Sequence, residues 1–371
     1  MNARRCADVI VVGAGIVGAA CARALAQRGL EVQVLDDYRG GATAAGMGHL
    51  LVLDDNPAEL ALSAYSLQCW RDWAPRLPAG CAYRNNGTLW LAADAEELAL
   101  AAAKQQRLST HGLDCELLGA AALRAAEPAL RADLHGALKV GGDGIVYAPN
   151  VVDWLLAHEH IRRCRAQVVE LDGAAVRLAD GRRLAAGAVV LATGIDAGAL
   201  CPELPLTPKK GQLLITDRYP REIRHTLVEL GYVKSAHQAT GPSVACNIQP
   251  RPTGQLLIGS SRQFGSRDPG IDGTLLARML KRAVHYVPGL ATLNAIRCWS
   301  GLRAASPDGQ PLLGPHPHRP GLWLALGHEG LGITTAPGSA ELLAAQLCDE
   351  RPPLPVAPFL PQRLLPEAAD A

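Results

Sequence analysis

The chain has 371 residues, of which 49% are hydrophobic and 19% charged, and its formal net charge at pH 7 is +1. This length and composition are typical of a globular protein with a substantial core and roughly two domains. The small net charge gives no reason to expect a nucleic acid or an acidic membrane surface as a partner. No run of about eighteen residues is apolar throughout, so we expect no transmembrane segment. A cytoplasmic location is expected, with peripheral attachment to the inner face of the membrane as the alternative.

Ten cysteines are spread along the chain, and no two of them form a CxxC pair. Iron–sulfur clusters and structural zinc sites depend on closely spaced cysteines, so neither is indicated. Scattered cysteines in a chain of this size are typical of reduced thiols in a cytosolic protein. The sequence therefore predicts no metal site.

The predicted elements begin with a strand, a glycine turn and a helix. Val9–Val12 is a short β-branched run typical of a buried parallel strand, and residues 19–28 are rich in Ala and Leu and favour a helix. Gly13, Gly15 and Gly18 lie between them in the pattern GxGxxG. In this pattern the glycines permit a tight turn, let the backbone approach a pyrophosphate at the helix N-terminus, and let helix and strand pack closely.

An acidic residue follows the second predicted strand. Residues 32–35 form this strand, and Asp36 ends it 18 residues after Gly18, where a carboxylate can accept hydrogen bonds from ribose hydroxyls. Asp37 can share that role, and Arg39 faces either a phosphate or solvent. Strand, turn, helix and acid together indicate a dinucleotide site, against the alternative of a glycine turn without a ligand.

Two further strands run into small-residue turns downstream. Residues 189–194 form an apolar strand and its turn. Leu322–Leu326 runs into a glycine-rich turn at residues 327–332, before a helix predicted over residues 333–347. A nicotinamide dinucleotide needs one glycine turn, whereas an extended FAD contacts protein along its whole length. The repeated turns therefore favour FAD, and an NAD-dependent dehydrogenase stays as an alternative.

The segments between these turns have a different character. Residues 89–130 combine a strand with Ala-rich helices, and residues 213–298 alternate strands, one of them over residues 255–258, with a helix over residues 274–287. We expect one nucleotide-binding domain assembled from three separated segments, with a second domain inserted twice. The predicted boundaries give the first domain residues 1–80, 141–212 and 292–371, and the second residues 81–140 and 213–291.

Six segments in order along the chain resemble the D-amino-acid oxidase superfamily of FAD-dependent oxidoreductases, which includes glycine oxidase and sarcosine oxidase. They are residues 8–15 (DVIVVGAG), 41–47 (GATAAGM), 192–194 (ATG), 208–212 (PKKGQ), 301–303 (GLR) and 327–332 (GHEGLG). The resemblance spans nearly the whole chain. It implies an α/β protein in which a Rossmann-like FAD-binding domain carries an inserted substrate domain of α+β type with a mixed sheet.

Two of these segments look most similar to one branch of the superfamily. Residues 44–49 (AAGMGH) and 327–335 (GHEGLGITT) resemble the D-hydroxyproline dehydrogenases, relatives of the flavoprotein subunits of opine oxidase and hydrogen cyanide synthase. Asp36 departs from the pattern, because most of the family has Glu there. An aspartate is shorter but still reaches a ribose, so the expected cofactor is unchanged.

The resemblance implies a noncovalently bound FAD and its contacts. The pyrophosphate would lie at Gly13, Ala14, Gly15, Ile16, Val17 and Thr43, and the ribose at Asp36 and Asp37. Adenine would meet Val168, and the cofactor would also pass the turn of Ala192, Thr193 and Gly194. The isoalloxazine ring would be lined by Ala44, Ala45, Gly46, Met47, Gly327, Gly330, Leu331, Gly332, Ile333 and Thr334. The helix that begins there would face the flavin edge where negative charge develops on reduction.

Oxidation of an amino acid at a flavin requires a group that anchors the substrate carboxylate. Arginine supplies a fixed bidentate cation for this purpose. The resemblance implies that Arg303 is the anchor, and a structural ion pair is the alternative. Asn247 stands where relatives with Tyr-Ile-x-Pro use the tyrosine on the substrate carboxylate. Its amide either donates to the substrate or satisfies the backbone, and its small size leaves room for a ring substrate.

Two titratable residues border the predicted flavin site. His49 either contacts a substrate hydroxyl, accepts the amine proton, or is a bystander that hydrogen bonds with the backbone. Glu329 faces either the substrate entrance or solvent. Apart from His49, no catalytic side chain is indicated, because the flavin N5 takes the hydride.

The expected reaction is FAD-dependent oxidation of a small amino or imino acid at Cα by hydride transfer to flavin N5. D-hydroxyproline or D-proline, oxidised to the cyclic imine, is the leading substrate. The alternative is a flavoprotein subunit of a hetero-oligomeric opine, glycine or sarcosine dehydrogenase. Oxygen, a quinone or a partner protein would accept the electrons, and the protein would be a homo- or hetero-oligomer.

Overall fold

The computed structural model describes residues 7–220, 222–231 and 241–365. The two ends of the predicted first domain, residues 1–6 (with Cys6) and 366–371, lie outside these ranges. None of the helices in the described ranges is both long and apolar enough to cross a membrane.

A six-stranded sheet forms the base of the predicted nucleotide-binding domain. Its strands are β1 (Val9–Val12), β2 (Val32–Asp36), β8 (Ile161–Arg165), β12 (Ala188–Leu191), β18 (Leu312–Pro315) and β19 (Leu322–Leu326). Their order is β18-β19-β12-β1-β2-β8, and all neighbours are parallel except β18 and β19. β1 and β12 are buried along their whole length, which explains their continuous apolar sequence.

Helices and small sheets surround this sheet. The helices outside the second domain are α1 (Ile16–Ala26), α2 (Ala42–Ala45), α3 (Pro57–Trp73), α6 (Ala148–Leu156), α7 (Ala197–Leu200) and α9 (Gly332–Leu347). The small sheets consist of β3 (His49–Leu50) with β7 (Gly144–Ile145), and of β9 (Val168–Asp172), β10 (Ala175–Leu178) and β11 (Arg183–Ala185). The long buried helix α9 packs against both α1 and α3.

An eight-stranded mixed sheet forms the second half of the molecule. Its strands are β4 (Thr88–Ala92), β5 (Cys115–Gly119), β6 (Gly136–Val140), β13 (Thr207–Arg218), β14 (Thr226–Glu229), β15 (Ser243–Pro250), β16 (Gln255–Phe264) and β17 (Ala295–Ala305). Their order is β17-β13-β16-β15-β14-β4-β6-β5, and only β14 and β4 pair in parallel. The helices α4 (Ala95–Thr110), α5 (Ala120–Ala126) and α8 (Gly273–Tyr286) pack on this sheet.

The strand and helix predictions agree with the structure in most places, and the α/β class with a second mixed sheet is confirmed. The strand predicted over residues 255–258 is longer, because β16 continues to Phe264 along its partner β13. Strand β13 crosses the predicted boundary at residue 212. Its partner β17 pairs with it from Thr207↔Ala305 to Thr216↔Ala295, so both strands belong entirely to the eight-stranded sheet.

Helix α8 offers a test of how the second core is stabilised. Met279 is fully buried on the face of α8 that packs against β15 and β16. Met279→Ala should lower the free energy of unfolding by about 2–5 kcal/mol, because it removes buried apolar surface and leaves a cavity. Urea denaturation followed by fluorescence measures this. Arg278→Ala, at an exposed position on the same helix, should change it by less than about 0.5 kcal/mol, and equal effects of the two changes would contradict the packing.

Candidate active site

The glycine turn after β1 has the shape that a phosphate-binding turn requires. Gly13 has φ +105°, and a Cβ there would lie 2.5 Å from the carbonyl oxygen of Ala192. A Cβ at Gly18 would collide with the carbonyl oxygen of Gly13. Helix α1 follows with Gly15 as its N-cap and no side-chain cap. The two glycines therefore let the start of α1 pack closely against the end of β1 and the turn after β12.

Two polar side chains border the turn. Asp36 accepts a hydrogen bond from the Ala14 N–H at 2.6 Å, and Thr43 Oγ1 accepts one from the Ile16 N–H at 3.0 Å. Asp37 instead forms an ion pair with Arg39, whose side chain is 71% exposed. Of the two candidate ribose carboxylates, Asp36 lies at the turn, and Asp37 is engaged with a surface arginine.

The turn after β12 carries a buried hydroxyl with no partner. Thr193 Oγ1 has no hydrogen bond within the described ranges, and a buried polar group in this state requires a ligand or water. On the other side of the β1–α1 turn, the Ala166 N–H donates to the Asp36 carbonyl oxygen at 2.9 Å, two residues before Val168. The positions predicted for pyrophosphate, ribose and adenine are thus neighbours in the structure. Their individual contacts with the cofactor remain predictions.

The loop that contains α2 lies against the face of the eight-stranded sheet. A Cβ at Gly301 would collide with the Ala45 side chain, and one at Gly259 would lie 2.9 Å from the Met47 sulfur. Trp299 donates its Nε1–H to the Ala45 carbonyl oxygen at 3.1 Å. Glycines on β16 and β17 therefore let this loop approach the sheet closely.

The start of α9 borders the same region, beside the α2 loop and the eight-stranded sheet. A Cβ at Gly46 would lie 2.8 Å from Ile333 Cδ1, so the α2 loop also touches this helix start. The N-cap residue Leu331 provides no side-chain cap. Thr334 fixes the helix start by donating its hydroxyl to the His49 carbonyl oxygen and accepting the Trp70 indole N–H at its own carbonyl, both at 2.9 Å. The positive end of the helix dipole is thus held beside the α2 loop.

His328 orders the turn that precedes α9. Its Nε2 lies 3.0 Å from Ser339 Oγ, and burial lowers the pKa of His328 to about 4, so the ring is neutral at pH 7. Pro337 lies in the second turn of α9. These contacts fix Gly327–Thr334 as one rigid turn and helix start.

Arg303 lies on β17 directly opposite Lys209 on β13. A Cβ at Gly211 would lie 2.8 Å from Arg303 Nη2, so this glycine makes room for the guanidinium. Burial lowers the pKa of Arg303, and the Glu329 charge opposes that effect. No carboxylate within the described ranges forms an ion pair with Arg303. The guanidinium is therefore a partly buried cation available to an anionic ligand.

Glu329 forms an ion pair with Lys209, which the sequence did not predict. Glu329 has φ +47°, a strained conformation for a residue with a side chain, and its N–H donates to the Ala304 carbonyl oxygen at 2.9 Å. Burial raises its pKa, but Lys209, Arg262 and Arg303 together outweigh burial and hold the pKa of Glu329 below the usual range. The Lys209 ammonium also lies 4.5 Å from the centre of the Phe264 ring. The pair therefore joins the α9 turn to the sheet beside Arg303.

Asn247 lies on β15 in register with Gly259 of β16, the glycine that contacts Met47. Its Oδ1 is buried and has no hydrogen bond in the part of the chain that the structure describes. The alternative that this amide only satisfies backbone groups leaves that oxygen unexplained. A contact of Asn247 with a ligand remains our prediction.

His49 is on β3, between the α2 loop and α9. Its Nε2 lies 2.9 Å from Thr88 Oγ1, and burial lowers the pKa of His49 to about 3. Its partner is therefore a side chain rather than the backbone, and the ring is neutral at pH 7. Thr88 and its neighbour Asp143 carried no signal in the sequence, because no local motif connects residues so far apart in the chain.

Cys201, Glu203 and His316 lie away from this region with potential ligand atoms within 4.8 Å of one another. His316 Nδ1 accepts a hydrogen bond from the His318 N–H at 3.2 Å, so the proton of the neutral ring lies on Nε2. That nitrogen lies 3.3 Å from the Glu203 carboxylate without a hydrogen bond in the described ranges, and Arg319 binds the same carboxylate at 3.0 Å.

Comparison with known proteins identifies the family. The chain matches the model described as FAD dependent oxidoreductase (DAO) over residues 8–346. The chain belongs to this family. Hydrogen cyanide synthase subunit HcnC of Pseudomonas aeruginosa is 29% identical, covering 98% of this chain and 97% of the relative. Glycine oxidase of Pseudomonas putida is also 29% identical, covering 96% and 98%.

Solved structures of related proteins share the fold of this DAO-family chain. Glycine oxidase from Geobacillus kaustophilus superposes with a TM-score of 0.85 at 27% identity, covering 95% of this chain and 98% of the other. L-proline dehydrogenase from P. horikoshii superposes with a TM-score of 0.86 at 22% identity, covering 97% and 98%. The predicted superfamily and the FAD cofactor are confirmed, and the oxidation of amino-acid-type substrates follows from the family.

The residues of this DAO-family protein fit FAD. Thr193 presents a buried hydroxyl without a partner in the described ranges, Asp36 and Thr43 lie at the start of α1, and the start of α9 has no side-chain cap. A pyrophosphate suits the α1 start, and the electron-rich edge of a reduced flavin suits the α9 start. The α2 loop, the start of α9 and the sheet face that carries Arg303 would border the ring.

The Lys209–Glu329 pair yields a prediction for stability. Lys209→Met leaves the carboxylate largely buried without its main cation, which should reduce the free energy of unfolding by about 2–3 kcal/mol. The value is below that of a fully buried pair because the Glu329 side chain keeps 27% of its exposure. Urea denaturation measures the loss.

The matched control for this prediction is the double variant Lys209→Met/Glu329→Gln, which removes both charges and should recover most of the loss. The folded-state pKa of Glu329 is lowered, so the stabilisation is present above the unfolded pKa and disappears as pH falls through the folded pKa. The destabilisation of Lys209→Met should therefore shrink in acid. Equal losses for the single and double variants would show that the pair does not act as a unit.

Proposed function

We propose that this DAO-family protein oxidises a small amino or imino acid at Cα. FAD supplies the hydride acceptor at its N5 atom, and the protein supplies position and charge. The observation that carries the proposal is Arg303, a partly buried guanidinium without an ion-pair partner in the described ranges, on the sheet face that meets the α2 loop. A substrate carboxylate would neutralise the charge of this guanidinium through a bidentate contact.

The surrounding residues have distinct roles in this proposal. Arg303 anchors the carboxylate, and the Asn247 amide binds the same end of the substrate. His49, neutral because burial lowers its pKa to about 3, receives the proton that the substrate amine must lose. The backbone N–H groups at the start of α9 stabilise negative charge that develops nearby. Glu329 forms the rim of the site through its ion pair with Lys209.

D-hydroxyproline is the substrate we favour, with D-proline next and the cyclic imine as the product. The segments AAGMGH and GHEGLGITT support this, because they resemble the D-hydroxyproline dehydrogenases. Asn247, which is smaller than a tyrosine, leaves room for a five-membered ring. A hydroxyl on that ring would find polar partners at the site rim.

The second candidate function is that of a flavoprotein subunit in a hetero-oligomeric dehydrogenase for opines, glycine or sarcosine. It is favoured by the similarity over nearly the whole chain to a protein named as a subunit of hydrogen cyanide synthase. In that case a partner protein would receive the electrons, in place of oxygen or a quinone. A cytoplasmic location and a homo- or hetero-oligomeric state remain predictions.

Anaerobic reduction of the FAD-loaded protein tests the proposal. Loss of the oxidised flavin absorbance is followed with D-hydroxyproline, D-proline, sarcosine, glycine and an opine. D-hydroxyproline should reduce the flavin with the lowest half-saturating concentration. Reduction by an opine alone, or only after a copurified subunit is restored, would favour the second candidate.

Replacement of Arg303 tests the anchor. Arg303→Ala should cost about 3–5 kcal/mol of the free energy with which the substrate carboxylate binds. It should therefore raise the half-saturating concentration by roughly 10² or more. Arg303→Lys should recover only part of this, because an ammonium lacks the bidentate geometry. Arg297→Ala changes an exposed arginine on the same strand and should leave reduction unaltered. An unchanged half-saturating concentration in Arg303→Ala would rule out this role.

A further inference from the structure

A buried line of polar groups leads from the active site to the start of β4. His49 Nε2 lies 2.9 Å from Thr88 Oγ1, and the Thr88 hydroxyl lies close enough to the Asp143 carboxyl to lower its pKa. Thr88 and Asp143 are both completely buried. The Gly87 N–H donates to the Asp143 carbonyl oxygen at 3.0 Å, which fixes the turn that carries Asp143 beside the start of β4.

Asp143 is an unusual residue to find at such a depth. Its Oδ1 accepts the Val52 N–H at 3.2 Å, and its Oδ2 has no hydrogen-bond partner within the described ranges. Burial raises the pKa of Asp143 to about 7, and Thr88 opposes that rise. The charged group that acts on it from α4 is Lys104, which itself forms an ion pair with Asp54. An unpaired carboxylate here is costly, so a proton on Asp143 is stabilised.

His49 is constrained from several sides. Thr334 of α9 donates to its carbonyl oxygen, Ile145 of β7 pairs with its backbone, and Thr88 of β4 faces its Nε2. No charged group contributes to the lowered pKa of His49, which is due to burial alone. The ring therefore exchanges protons between its two nitrogens more readily than it becomes a cation.

The hydrogen bonds along His49, Thr88 and Asp143 can run in either direction, depending on whether Asp143 is protonated. With Asp143 ionised, Thr88 donates to the carboxylate and accepts the His49 Nε2–H, which leaves Nδ1 with a lone pair. With Asp143 protonated, the hydrogen bonds reverse, Thr88 donates to Nε2, and Nδ1 carries the proton. The state of the buried carboxyl thus determines whether the free nitrogen of His49 accepts or donates.

We propose that His49, Thr88 and Asp143 form a proton relay in which His49 takes the proton of the substrate ammonium and Asp143 stores it. This inference rests on the proposed function. The ammonium N–H bond breaks as an Nδ1–H bond forms, the Nε2 proton passes to Thr88 Oγ1, and the Thr88 proton passes to Asp143. The products are a neutral amine, a neutral His49 of the other tautomer and a neutral carboxylic acid. His49 is a catalytic residue, and Thr88 and Asp143 are positioning residues that act through it.

The relay accounts for observations that a lone histidine base does not explain. A histidine with a pKa of about 3 would be a poor final acceptor for an ammonium proton. A carboxyl with a pKa of about 7 is a much better one, and it lies only one hydroxyl away. The transfer also removes the uncompensated buried charge from Asp143, so the two processes favour each other.

The first test is the pH dependence of flavin reduction in the FAD-loaded protein at saturating D-proline. The wild-type rate constant should fall about tenfold from pH 8 to pH 6, because Asp143 becomes protonated and can no longer accept. Thr88→Ser keeps the hydroxyl and should keep this profile. Thr88→Val and Asp143→Asn should reduce the rate at pH 8 and change it by less than about twofold between the two pH values. An unchanged acidic limb in both variants would overturn the relay.

The second test does not depend on any substrate. Nitrogen-15 NMR of the FAD-loaded protein, labelled at histidine, reports which ring nitrogen of His49 carries the proton. The tautomer should change from Nδ1–H below pH 6 to Nε2–H above pH 8, and Thr88→Val should abolish this change. A single tautomer from pH 5.5 to pH 8.5 in the wild type would refute the relay. Failure of every amino acid to reduce the flavin, with the tautomer change intact, would instead refute the proposed function.

Discussion

The close approach of the α2 loop to the eight-stranded sheet is the constraint on which the site depends. A side chain at Gly301 would push Ala45 of the loop away, and one at Gly259 would require the Leu213 and Met47 side chains to move. The same sheet face carries Arg303, whose guanidinium fills the space above Gly211. Because these contacts fix the loop to the sheet, they also fix the distance between the flavin region and the cation that binds substrate.

The electrostatic arrangement follows from this geometry. Arg303, Arg262 and Lys209 influence one another through the low-dielectric interior, and the Glu329 carboxylate faces all three. The start of α9 adds the positive end of a helix dipole. Such a site favours an anionic substrate and the negative charge that forms on a reduced flavin. The strained backbone of Glu329 is consistent with this, since strain commonly persists where surrounding contacts at functional sites enforce it.

Local patterns in the sequence predicted the parts of the fold that local chemistry determines. The GxGxxG turn, the acid after β2 and the strands Val9–Val12 and Leu322–Leu326 all follow from periodicity and glycine placement. The domain boundaries remain predictions, and strand β13 crosses the one at residue 212 because its pairing with β17 depends on residues about ninety positions apart. Periodicity within one segment carries no information about such a register.

The same distinction applies to the site. The resemblance identified Arg303 because it follows a recognisable motif, whereas its neighbour Lys209 occupies a variable position of another motif. Nothing in the sequence connects Glu329 with Lys209, or Asp143 with Thr88, since each pair is brought together only by the fold. The residue type alone also did not show which group the His49 ring contacts. Only the packing of β3 against β4 shows that this partner is Thr88.

A crystal structure of the FAD-loaded protein with a five-membered-ring carboxylate that cannot be oxidised is the most direct test of this account. The account predicts that the carboxylate binds Arg303 through two parallel hydrogen bonds, with its ring between the eight-stranded sheet and the isoalloxazine. The O2 edge of the flavin should face the N–H groups at the start of α9. A carboxylate bound away from Arg303, or a flavin turned away from α9, would contradict it.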